Sequence, residues 1–312
     1  VLEVVKYSEK YKPEWDAFVA GSKNATFLFF RDYMEYHAQR FTDHSLLFYR
    51  KGKLIALLPA NEQEREVSSH GGLTYGGVVT DTSMKVEVML QVFEAMVAYY
   101  RQQGYTSIKY KTIPHIYHQS PAEEDLYALL KYGAVLYRRD VLSVIEQVNP
   151  LKYSRTRRWE IKKAEECDWQ IGLSMDFESF MQMEAQLLKE KYNASPVHTS
   201  DEMSQLARQF PDNIKLYTAE KGDVLGAGVI VYETATVAHC QYIGTSVAGR
   251  ENKALEAMLH HLLTSVYADK KYFDLGASMD AQQPNGLNST LLANKESYGA
   301  RAVVHDYYTI PL

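Results

Sequence analysis

Cysteine is nearly absent from this sequence: 312 residues contain two, Cys167 and Cys240. Two thiols build neither a disulfide framework nor a four-thiolate metal site, and they read as reduced thiols of a cytosolic chain. No stretch reaches the ~18 consecutive apolar residues needed to span a bilayer, and Val1 to Lys12 lacks the charged-then-apolar pattern of a signal peptide. The expectation is a cytoplasmic protein with no membrane span. Positive charge is not in excess either. The formal net charge is −5, so a nucleic-acid backbone or other polyanion would have to be met by a local patch. His-Glu-x-x-His, Cys-x-x-Cys, Gly-x-Ser-x-Gly, the Walker loop and the dinucleotide fingerprint are all missing, so neither a metal centre nor a serine nucleophile elbow is expected.

What remains is ordinary globular material. Hydrophobic residues make up 46% and charged residues 23%, and the length suits two domains or one large one. Tyrosine is abundant at 24 residues, a side chain whose apolar body and polar tip suit wet clefts.

The informative feature is a diverged internal repeat. Tyr132-Gly133-Ala134 recurs as Tyr298-Gly299-Ala300; each copy precedes a β-rich run and an Asp six residues past its Ala, Asp140 and Asp306. Upstream, Lys51-Gly52-Lys53 and Lys221-Gly222-Asp223 each divide two β-rich runs as hairpin turns. Between these landmarks each half holds one amphipathic helix. Val86, Met89, Phe93, Met96 and Tyr100 fall at helical spacing in the first, and Leu255, Met258, Leu259, Leu262 and Val266 in the second. Strands follow at Tyr105 to Lys111 and Tyr272 to Leu275. The order predicts an α/β (α+β mixed-sheet) fold built from two tandem domains, 1–150 and 151–312, divided at Asn149-Pro150. Leu151 to Glu166 is predicted as a basic helix that opens the second domain.

The linker text Arg155-Thr156-Arg157-Arg158-Trp159-Glu160-Ile161-Lys162-Lys163-Ala164, with Phe273-Asp274-Leu275-Gly276 and Asn294-Lys295-Glu296-Ser297-Tyr298-Gly299-Ala300 near the end, resembles the FemAB-like tandem branch of the GNAT acyltransferase superfamily. The resemblance covers nearly the whole chain. It implies transfer of an acetyl, other acyl or aminoacyl group to an amine, with acyl-CoA or aminoacyl-tRNA as donor and no metal. An amino sugar or a peptidoglycan-type precursor is the implied acceptor, and tRNA is the less favoured partner for a chain of this charge. Two departures stand out. The loop that in this superfamily holds the CoA pyrophosphate corresponds to Val247-Ala248-Gly249-Arg250-Glu251-Asn252-Lys253-Ala254, with one glycine and an acidic residue. Its counterpart in the first half, Asp81-Thr82-Ser83-Met84-Lys85, has none, so the first domain is expected to lack a donor site. A coiled-coil arm found in some tRNA-dependent relatives is also missing.

Several residues follow as candidates. Lys295, by its place in the family motif, would stabilise the oxyanion that forms when an amine attacks an ester or thioester; the competing reading is an exposed lysine favoured by a helix C-terminus. Tyr298 and Asp306 flank it as catalytic candidates, Asp306 or His305 as a base. Arg155, Arg158 and Lys162 fall on one helical face and would hold an anionic substrate group, unless they form a solvated face balanced by Glu165 and Glu166. Tyr75, in the glycine-rich His70 to Gly77, and Lys109, on the strand ending at Lys111, are further substrate-contact candidates; that glycine-rich run reads equally as turns and bulges. Gly249, Arg250, Asn252 and Lys253 would contact the donor. A non-catalytic binding module that kept the fold is the alternative of a different class.

Overall fold

A computed structural model describes residues 2–312. In chain order the strands that matter are β1 (Glu3–Lys6), β2 (Leu46–Arg50), β3 (Lys53–Leu58), β4 (Val79–Thr80), β5 (Ser107–Lys111), β6 (Val135–Glu146), β7 (Gln170–Ser174), β8 (Ile214–Lys221), β9 (Val224–Glu233), β10 (Val237–Thr245), β11 (Tyr272–Ala277) and β12 (Arg301–Pro311). The helices used below are α1 (Val86–Gln102), α2 (Arg155–Glu165), α3 (Phe177–Tyr192), α4 (Val247–Glu251), α5 (Ala254–His261) and α6 (Ser289–Glu296). The architecture is mixed α/β, as the sequence predicts.

Two compact units emerge, Val1–Asp140 with Val304–Leu312, and Val141–Val303. Their limits fall inside the long strands β6 and β12 rather than at Asn149-Pro150. The C-terminal strand therefore packs with the first unit, and the end of β6 with the second. Local pattern cannot reveal this, because strand partners are chosen by tertiary pairing.

The first unit contains an antiparallel four-stranded sheet in the order β1-β2-β3-β4. In the same unit β5 pairs antiparallel with β12, Ile108 opposite Ile310, and parallel with Glu66–Ser68. Helix α1 forms where the apolar spacing predicts it and buries Met89, Phe93, Met96 and Tyr100 with Leu46, Phe48, Leu58 and Ile108. In the glycine-rich segment a Cβ on Gly76 would stand 2.0 Å from the Ser69 carbonyl oxygen. That is close backbone packing, the turn-and-bulge reading.

In the second unit the sheet runs β7-β8-β9-β10-β11 and then the Leu142–Glu146 part of β6. Every pair is antiparallel except β10 with β11. Strand β9 is buried along seven consecutive residues, the continuous apolar pattern of a strand covered on both faces. At Gly228 an added Cβ would lie 2.2 Å from the Phe180 ring of α3, so only glycine admits that helix. The long second helix of the sequence reading is present in two parts, α5 and a π-helical turn at Leu262–Val266. Its apolar face packs Met258, Leu259 and Leu262 on Val229, Val231 and Phe273.

Candidate active site

Two neighbouring strands part in the second unit. Parallel pairing of β10 with β11 covers Val237↔Tyr272, Ala238↔Phe273 and His239↔Asp274 and stops there, while β10 continues to Thr245. Against β9, Cys240 pairs with Val231 and Tyr242 with Ile230, so Gln241 is an extra residue, a β-bulge. Against β6, the register of β11 shifts between Asp274 and Ala277, where Gly276 has φ +76°. Bulges bend and twist a strand, and here both strands are disturbed at the level where they separate.

Lys295, in the last turn of α6, is buried at this point and its ammonium donates to the carbonyl oxygens of Gly276 and Ala277, at 3.0 and 2.8 Å. Burial draws its pKa down from 10.5 to about 8, opposed by the charge of Asp274. An ammonium carries three donors; two hold the irregular end of β11. The exposed-lysine reading is thereby corrected.

Asp274 is fully buried: one carboxylate oxygen accepts the Gly276 N–H at 2.7 Å, and the other is 2.8 Å from Nδ1 of His239. Sequence inspection missed His239, since a lone histidine in a β-rich run carries no motif; its partner stands 35 residues away. Gln241 Oε1, at the bulge, is buried without a hydrogen-bond partner among the described residues. Burial pushes the Cys240 thiol far up, so it stays protonated, consistent with packing.

The residues expected at the donor are committed locally. Ser246 Oγ caps α4 by accepting the Gly249 N–H at 3.1 Å. Gly249 packs so closely that a Cβ would meet the Gly226 carbonyl oxygen at 1.8 Å. Asn252 Nδ2 donates to the Ala248 carbonyl at 2.9 Å, Arg250 to that of Thr245 at 3.4 Å, and Lys253 pairs with Glu160 at 3.1 Å.

Helix α2 also differs in detail from its sequence reading. Ser154 caps it by accepting the Arg157 N–H. Arg155, Arg158 and Lys162 are exposed, whereas Arg157 is buried, 2.9 Å from Glu160, 3.0 Å from Glu256 and 3.0 Å from Ser297 Oγ. Its guanidinium lies 4.1 Å from the centre of the Tyr298 ring. Tyr298 is itself buried, its hydroxyl pKa raised by that burial, the environment of a packing residue.

The remaining candidates belong to the first unit. Asp306 is gripped by Arg139 through both oxygens, at 2.6 and 2.7 Å. His305 is buried and drawn down to about 4 by desolvation and then by the Lys111 charge, which leaves it neutral. Lys109 lies 3.2 Å from Thr309 Oγ1 and 3.5 Å from Glu66. Tyr75 is buried, hydrogen-bonded to Thr26 at 2.9 Å and packed on Tyr117. The sequence candidates thus divide between two units, and only Lys295 stands where the strands part.

Residues 152–282 match the model of the acetyltransferase (GNAT) domain. This stretch is a GNAT acetyltransferase domain. The GNAT stretch includes both parting strands and ends before Lys295. Over the whole chain the fold is that of FemX, with TM-score 0.70, 10% identity, and 99% of this chain and 97% of that one covered. L-PGS from Bacillus licheniformis aligns with TM-score 0.58 at 10% identity, covering 90% and 91%. A tandem GNAT protein from the clavulanic acid biosynthesis pathway aligns with TM-score 0.50 at 10% identity, covering 100% and 98%. No curated protein sequence matches the chain. Among the described residues no helix is long and apolar enough to cross a membrane.

Proposed function

We propose that the chain transfers an acyl or aminoacyl group to the amine of an acceptor, an amino sugar or a peptidoglycan-type precursor, at the parting of β10 and β11. The observation that carries this reading is Lys295, a buried ammonium fixed at the strand end by two backbone carbonyls, with one donor left for an incoming oxygen. Attack of an amine on an ester or thioester carbon moves charge onto the carbonyl oxygen, and a preorganised cation lowers that barrier. Such a cation needs no reorganisation when the charge develops.

Two donors suit this chemistry, acyl-CoA and aminoacyl-tRNA. The second gains support from α4: the Gly249 N–H and the side chains of Asn252 and Lys253 already have partners in the protein, so little of a pyrophosphate cradle stands open. The exposed Arg155, Arg158 and Lys162 supply positive charge for either donor or for an anionic acceptor. Titrating the protein with acetyl-CoA and with deacylated tRNA separates the donors. The Arg155→Ala/Arg158→Ala double variant binds the correct one more weakly with its fold intact. Failure of both titrations would favour a non-catalytic binding module.

A further inference from the structure

We infer that His239 is the proton acceptor for the attacking amine and that Asp274 positions it. This rests on the acyltransferase reading of the same site.

Asp274, fully buried, accepts the Gly276 N–H and faces Nδ1 of His239. A carboxylate can only accept, so the imidazole proton resides on Nδ1 and Nε2 presents a lone pair. Among the described residues Nε2 has no hydrogen-bond partner, and the ring's one polar contact is that to Asp274. The ring also lies near Gly276, whose hypothetical Cβ would make ordinary van der Waals contact with Cε1 at 3.7 Å.

Position supports the role. His239 and Asp274 form the last register pair before β10 and β11 part, the same level at which Lys295 is anchored through Gly276 and Ala277. Two residues farther along β10, the Gln241 Oε1 is a second acceptor with no partner among the described residues. A ring lone pair and an unpaired amide oxygen on this stretch suit a ligand that brings N–H donors, which an amine does. The site thus offers both polarities: a cation for the oxygen that gains charge and a base for the nitrogen that sheds a proton.

The neutral amine nitrogen bonds to the donor carbonyl carbon, the π pair moves to oxygen, and the nitrogen's proton passes to His239 Nε2. When the carbonyl re-forms, the thiolate of CoA or the ribose alkoxide of tRNA departs and takes that proton back. Nothing is oxidised or reduced. The products are an amide and a protonated leaving group.

Two variants test the assignment. His239→Gln keeps an N–H donor for Asp274 and removes the base. Asp274→Asn keeps an acceptor for the Gly276 N–H but turns a donor toward Nδ1, which forces the proton onto Nε2. The first measurement needs no substrate: full-length protein is treated with diethyl pyrocarbonate, which acylates unprotonated imidazole, and each histidine is followed by peptide mass spectrometry with exposed His115 as internal reference. His239 is expected to react in the parent chain and about tenfold or more slowly in Asp274→Asn, its lone pair then being held at Nδ1. Equal rates in the two proteins, or an unreactive His239 in the parent, would overturn the assignment. The second measurement is turnover with whichever donor binds; each variant lowers kcat by about a hundredfold or more with KM little changed. Unchanged kcat in His239→Gln would overturn the base role even if Lys295→Met abolishes turnover. Loss of the donor titration itself would count against the acyltransferase reading, and the diethyl pyrocarbonate rates still decide the state of His239.

Discussion

Replacing Arg157 by Met should cost far more stability than the same change at its neighbours on α2. Arg157 is buried and faces two carboxylates, Glu160 and Glu256. Glu160 keeps Lys253 at 3.1 Å when Arg157 is removed, but Glu256 loses the one ion-pair partner it has among the described residues. Stranding a largely buried carboxylate costs about 3 kcal/mol, toward the low end of the range for broken buried pairs because some solvent still reaches it. Loss of the stacking on Tyr298 adds about 1 kcal/mol. The total is about 3–4 kcal/mol, against about 0.5 kcal/mol or less for Arg155→Met and Arg158→Met, which are exposed. Urea unfolding of the three variants, with m-values checked for constancy, measures the contrast. A companion variant, Arg157→Met with Glu256→Gln, should recover part of the loss, because the stranded charge is then gone. Equal midpoints for all three single variants would refute the claim that Arg157 ties α2 to Glu256 of α5 and to Tyr298.

Lys295→Met should lower stability by about 1–2 kcal/mol, since two backbone carbonyls lose a donor, and it should change the pH dependence. Burial lowers the folded pKa from 10.5 to about 8, so between those values the unfolded chain binds more protons than the folded one. Unfolding free energy then rises with pH across that window. Denaturation midpoints of the parent at pH 8 and pH 10 should show this rise relative to Lys295→Met. Iodoacetamide should alkylate partly exposed Cys167 and spare buried Cys240 in the native protein; mass spectrometry of the two peptides reads this, and labelled Cys240 would contradict its burial. Gly249→Ala should destabilise severely, because the new methyl would collide with a backbone oxygen rather than a mobile side chain; a midpoint close to that of the parent would contradict that packing.

Much of the architecture was legible in the sequence because it is local. The apolar spacing of α1 and α5, the glycine turns after Arg50 and Glu220, and the Tyr-Gly-Ala repeat all lie within short windows. The mixed α/β fold followed from them. What was hidden is non-local. Neither the exchange of strand ends between the units nor the Gln241 bulge leaves a mark on periodicity. Within the linker text nothing sets Arg157 apart from Arg155 and Arg158, because its burial depends on Glu256 and Tyr298, about 100 and 140 residues later in the chain. At the candidate site Lys295 was found through a motif, whereas the His239 and Asp274 pair required the strand register to bring it together.

Acyl transfer at the parting of β10 and β11 would be read directly as amide formation. Purified protein would be given acetyl-CoA or aminoacyl-tRNA with an amino-sugar acceptor, and product would be followed by mass spectrometry in the parent and in Lys295→Met. Amide is expected from one donor in the parent and about a hundredfold less, or lower still, in the variant, the scale for losing one oxyanion donor. Equal product from both proteins, or no amide from either donor, would contradict acyl transfer at this site.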